Sequence, residues 1–195
     1  MLRYNLILFP LLLLAIILQQ YLPAFTDYYN SRVFLFLALF LCTSVTVPFP
    51  VMFLLALGCG FIWDAQCYVG EMTIDPSVSR EKALSLRFGS SILLFGLAGA
   101  FMHGFRQLFI QKKWILVCLL IGISTYIFMF AEYAALEVLR GSFTINRGVL
   151  LQIAYSSLFS IGVAPLAFAA LLGMARIFDH SIVEANRRKT PSWST

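Results

Sequence analysis

Long apolar runs separated by short polar segments dominate the chain. The runs Leu6–Leu18 and Ile115–Ala131 do not alternate with period two, so they predict helices rather than the strands of a membrane barrel. Six candidate spans follow, over residues 5–22, 33–47, 51–69, 86–105, 114–136 and 149–177. They are of the order of the ~20 residues that cross a bilayer. Pro23 stops the first span, and Thr26–Arg32 is a short polar loop. Pro48-Phe49-Pro50 forces a tight turn, because a residue before proline is kept out of the helical region. Gly70–Ser85 is the longest polar loop, with Asp75-Pro76 as a turn signal and Ser79 as a candidate N-cap. Lys112 and Lys113 mark the exit of the fourth span, and Gly141–Arg147 is a polar turn. Pro165 lies inside the sixth span and is expected to kink it.

Composition sharpens this picture. Of 195 residues, 61% are hydrophobic and 12% are charged, against about 45–50% and about 25% for a soluble domain. A soluble globular fold is excluded, and so is a disordered chain, which needs low hydrophobicity. The expected architecture is an all-α integral membrane bundle of six helices in a single domain, residues 1–178, followed by a polar, basic cytoplasmic tail, 179–195. The leucine run after Arg3 is long for a cleaved signal and no small-residue cleavage site follows, so it is read as a retained first span.

The formal net charge is +5. The basic residues form short clusters between spans with no aromatic-interleaved stripe, which argues against nucleic acid and for anionic lipid headgroups as the counter-charge. One side of the six-span topology carries Arg3, Arg106, Lys112, Lys113, Arg176, Arg187, Arg188 and Lys189. The other carries Arg32, Arg80, Lys82, Arg87, Arg140 and Arg147. The cluster Arg187-Arg188-Lys189 favours both termini in the cytoplasm.

Two acids stand out. Asp64 and Glu132 lie within apolar spans, where a charge at the bilayer centre costs about 2.5–3.5 kcal/mol on insertion scales. They are either structural acids hydrogen-bonded to neighbouring helices or members of a functional site. Gly96, Ala100 and Gly104 recur every four residues in the fourth span, and Ser156, Ser160 and Ala164 repeat that spacing in the sixth. Such faces let a second helix approach closely, either within the bundle or from a partner protein. Trp63, Tyr68, Trp114, Tyr21, Tyr28 and Tyr29 fall near span ends, as an interfacial belt does. Cys42, Cys59, Cys67 and Cys118 lack metal or redox spacing and read as small buried hydrophobes. His103 and His180 have no ligand neighbour at i+4. No hydrolase, nucleotide-binding, metalloprotease or intramembrane aspartyl protease signature is present. The chain is therefore read as non-catalytic, with no cofactor and no metal.

Three stretches carry a resemblance to the bacterial rod shape-determining MreD family. Leu57-Gly58-Cys59-Gly60-Phe61-Ile62-Trp63-Asp64 places Gly60 and Ala56 one and two helical turns before an acid. Phe128-Met129-Phe130-Ala131-Glu132-Tyr133 is similar to an aromatic and acidic patch in some members. The final span carries Pro165 and then Arg176. The chain departs from the family pattern in having only Gly70 after the acid and a long loop from Gly70 to Ser85. The resemblance implies a non-catalytic inner-membrane scaffold of the cell-wall elongation machinery, which maintains rod shape and lateral peptidoglycan synthesis. Its implied partner is a single-span MreC-like protein, working with an MreB-like filament, a RodA-like glycosyltransferase and a transpeptidase. It also implies a six-helix fold like the substrate component of energy-coupling-factor vitamin transporters.

That transporter component is itself the alternative reading, and it needs a pocket of convergent polar groups. A first span with Ala15 as its one small residue weighs against it. A third reading is an ion-coupled transporter using Asp64 and Glu132.

Overall fold

The computed structural model describes residues 2–72, 89–111, 113–140 and 146–177. They include seven α-helices, α1 (Leu2–Tyr21), α2 (Leu35–Thr46), α3 (Phe49–Met72), α4 (Ser90–Gly104), α5 (Arg106–Ile110), α6 (Trp114–Arg140) and α7 (Arg147–Ile177), and a short 3-10 turn, Thr26–Tyr28, between α1 and α2. The chain is an all-α, multi-pass membrane bundle. Three helices are long and apolar enough to cross a bilayer, over Phe49–Gln66, Trp114–Val138 and Arg147–Ala175. Its outward surface is apolar, with Leu54, Leu93 and Leu166 each about two-thirds exposed or more (65%, 65% and 71%). Much of the loop from Gly70 to Ser85 including Ser79, residues 141–145 of the predicted turn, Lys112 and the tail from Asp179 lie outside the described residues.

Helix α2 differs most from the expected span. Its 12 residues cover about 18 Å, short of the ~30 Å hydrocarbon core. Val33 and Phe34 are apolar enough to count toward a span, but the backbone at Phe34 is not helical (φ −89°, ψ 71°). At the other end Val47 is extended (φ −100°, ψ 160°) because Pro48 follows. Every residue from Phe36 to Val47 is buried, as expected of a helix that is apolar all round. Its hydroxyls bond back to its own carbonyls, Thr43 Oγ1 and Ser44 Oγ to Phe40 O and Thr46 Oγ1 to Thr43 O.

A short buried helix must satisfy its end groups without water, and neighbouring helices supply the partners. Gln19 of α1 accepts from the Phe36 N–H through Oε1 at 3.0 Å. His103 of α4 donates from Nδ1 to the Ser44 carbonyl at 3.1 Å, a bond the carbonyl can only accept.

The other elements arrange themselves around α2. Helices α3 and α4 lie against each other most closely at Gly60, where a Cβ would stand 2.6 Å from the Ile92 backbone nitrogen. Gly122 of α6 is similarly pressed by Ile161 of α7. The stripe Ser156, Ser160 and Ala164 on α7 is buried against α2, with Ser156 Oγ accepting from the Arg32 N–H at 3.4 Å. Helix α7 runs unbroken through Pro165, which faces outward. Helix α1 likewise includes Pro10. The short α5, not expected from the sequence, turns the chain between α4 and α6.

Candidate functional site

Trp63 and Asp64 sit side by side on α3, about two thirds along it. The Trp63 ring is held by aromatic neighbours on two helices. It stacks on Phe36 (6.1 Å between centroids, 8° between planes) and meets Phe95 edge-on at 6.2 Å. Phe95 in turn packs edge-on against Phe40 and Phe128. This arrangement leaves the indole N–H aimed at α6, where it donates to Glu132 Oε1 at 3.1 Å. Asp64 is 6% exposed, and its Oδ2 accepts from the Gly89 backbone N–H at 2.6 Å. Gly89 precedes α4 with φ +102°, a conformation that favours glycine. Asp64 lies within electrostatic reach of Glu132.

The two acids singled out from the sequence thus belong to one cluster on α3 and α6, each with a defined hydrogen-bond donor. Glu137, on α6 one residue beyond the expected end of the fifth span, is also buried at 6%. The apolar run continues to Val138, and following it would have found this third acid. Among the described residues no group of three His, Cys, Asp or Glu side chains is placed to hold a metal ion. Cys42 and Cys59 are buried free thiols and Cys118 is half-buried; the Cys67 side chain lies outside the description.

The second feature is a face rather than a pocket. Among the described residues, Gly96, Ala100 and Gly104 do not pack closely against another helix: a Cβ at Gly96 or Gly104 would meet nothing within 4 Å, and Ala100 is exposed. Helix α4 instead turns Ser91, Phe95, Gly99 and Met102 inward. Gly99 makes the close approach, where a Cβ would stand 2.7 Å from Met52 Sδ and 3.1 Å from Phe40 Cζ. Gly96 and Ala100 line an open apolar groove of about 510 Å3 between α3 and α4, walled by Phe53, Leu57 and Leu93.

At the end of the bundle that holds the start of α2 and of α7, an aromatic strap crosses α7. Phe25 packs on Phe159 at 5.0 Å, Tyr28 on Tyr155 at 5.4 Å, and Tyr29 stacks on Tyr155 at 6.2 Å. Gln152 Nε2 donates to the Asn30 carbonyl at 3.2 Å and ties the strap down. Tyr29 and Asn30 both have positive φ (52° and 57°).

Comparison with protein-family models, with curated proteins and with solved structures returns no match for the chain.

Proposed function

We propose that this membrane protein is a non-catalytic scaffold of the kind the MreD resemblance implies, receiving the transmembrane helix of a single-span MreC-like partner. The proposal extends to a six-helix fold of the energy-coupling-factor type, with both termini cytoplasmic in a bacterial inner membrane. The observation that carries it is the open groove between α3 and α4. Small residues floor it, and no helix of the chain's described residues fills it. In lipid, helices associate through packing of this kind, since burial from water contributes nothing between spans. Helix α3, long enough to cross the bilayer, forms one of its walls.

The test is co-purification from native membranes with identification by mass spectrometry. The expected result is an MreC-like protein together with peptidoglycan synthases, and a loss of that partner in Ala100→Leu at unchanged protein level. Full partner recovery by Ala100→Leu would reject the groove as the contact.

The vitamin-transporter reading is favoured by a different observation, the convergence of Asp64, Glu132 and Trp63 from two helices. A ligand site needs such convergence. It predicts a transporter ATPase pair in place of wall-synthesis proteins, and a vitamin retained on the purified chain.

A further inference from the structure

The described acidic side chains all belong to one end of the bundle. Asp27 precedes α2, Asp64 meets the start of α4, and Glu132 and Glu137 lie late in α6. The opposite end, where α4 finishes and α6 begins, carries Arg106 and Lys113 and no described acid. Lys113 is exposed. Arg106 is half-buried, and its Nε is enclosed with no hydrogen-bond partner among the described residues. A guanidinium keeps its charge under all ordinary conditions, and a charged donor held without an acceptor is costly in a low-dielectric setting. With Nε enclosed, the terminal nitrogens of the fork are the part open to an anion.

A groove of about 350 Å3 lies between α4 and α6, its near end at Phe101, five residues before Arg106, and at Ser124, eleven residues after Lys113. Leu94, Ala98 and Phe101 line it from α4, and Ser124, Ile127 and Ala131 from α6. Phe101 packs edge-on against Phe105 at 5.0 Å, so the groove's lining is continuous with the residue before Arg106. From Leu94 to Phe101 it runs about 10 Å along α4, deeper in the bilayer than the two cations. Trp114, 37% exposed at the start of α6, is the residue type that settles at headgroup depth.

We infer that the corner formed by α4, α5 and α6 holds one phospholipid, with its phosphate on Arg106 and Lys113 and an acyl chain along the α4–α6 groove. A phosphate matches the planar fork of arginine and gives its open terminal nitrogens a charged acceptor, while Nε stays enclosed. The groove gives the chain packing contacts that a flat helix surface lacks. Charge complementarity selects the lipid over an apolar protein helix, which would leave the guanidinium unpaired. The inference rests on the membrane location alone and stands apart from the scaffold reading.

The full-length chain, exchanged into vesicles of phosphatidylglycerol and phosphatidylethanolamine and released into mild detergent, is examined by native mass spectrometry. The wild type is expected to retain one phospholipid. Arg106→Gln and Ala98→Phe are each expected to lower the retained fraction by about ten-fold or more, the loss of one charge-assisted contact or of the chain's seat. Gln107→Ala, an exposed neighbour, is expected to retain it. Equal retention by wild type and Arg106→Gln would overturn the inference, as would an adduct with the mass of inorganic phosphate or of a peptide. Should Arg106→Gln fail to fold, Ala98→Phe decides by itself, since it leaves the cation in place: undiminished retention there also overturns it.

Discussion

The carboxylate of Asp64 closes the start of α4 by accepting the Gly89 N–H at 2.6 Å. An acid in the interior of one helix thereby serves as the cap of the next. The first backbone donors of a helix have no partner within it, and in the bilayer water is not there to supply one. A carboxylate is also favoured at a helix N-terminus by the aligned peptide dipoles. The residue that looks most like a functional intramembrane charge therefore has a structural task.

Substitution at position 64 separates the acceptor from the charge. Asp64→Asn retains a carbonyl oxygen, whereas Asp64→Ala leaves the Gly89 N–H without a partner. Asp64→Ala is expected to cost about 1–3 kcal/mol and Asp64→Asn less, read as thermal midpoints in one detergent. Equal midpoints for the two variants would show that charge alone matters. An ion-coupled transporter predicts instead that Asp64→Asn and Glu132→Gln each abolish transport at normal expression.

Trp63→Phe keeps the ring against Phe36 and Phe95 but removes the N–H that reaches Glu132. The half-buried acceptor then loses its donor, at an expected cost of about 1–3 kcal/mol. In the background of Glu132→Ala the same change is expected to cost much less, because the bond is already gone. A full double-mutant cycle on thermal stability measures the difference.

The membrane class, the long helices α3, α6 and α7 and the approximate place of each apolar segment were legible in the sequence, because a span announces itself by length and apolarity alone. The rotation of each helix was not. Helix α4 is apolar nearly all round, so no periodicity told Gly99, which packs inward, from Gly96, which does not. The brevity of α2 was hidden because Val33 and Phe34 are as apolar as the helix they precede. Asp64 and Glu132 could be picked out as costly residues, but their partners Gly89 and Trp63 lie 25 and 69 residues away along the chain. Only the folded bundle pairs them.

The two ends of α2 offer a further test. Gln19→Ala removes the acceptor of the Phe36 N–H, and His103→Ala removes the donor to the Ser44 carbonyl. Each is expected to cost about 1 kcal/mol, the scale of a lost helix cap. The two sites share no partner, so the double variant should show the sum to within about 0.5 kcal/mol. Hydrogen exchange at the α2 amides would report which end frays.

Glycines on α3 and α4 distinguish packing within the chain from packing against something else. A Cβ at Gly60 would stand 2.6 Å from the Ile92 backbone nitrogen, and backbone cannot rotate aside as a side chain does. Gly60→Ala must push α3 and α4 apart, at about 1–3 kcal/mol for an overpacked contact. A Cβ at Gly96 would meet nothing within 4 Å, and alanine favours helix over glycine by up to about 1 kcal/mol. Gly96→Ala is therefore expected to leave thermal stability unchanged or slightly raised. If the groove seats a partner helix, the larger Gly96→Leu should reduce partner recovery while keeping that stability. Loss of stability in Gly96→Ala would mean that this face is already packed within the chain, and the groove would cease to be a docking candidate.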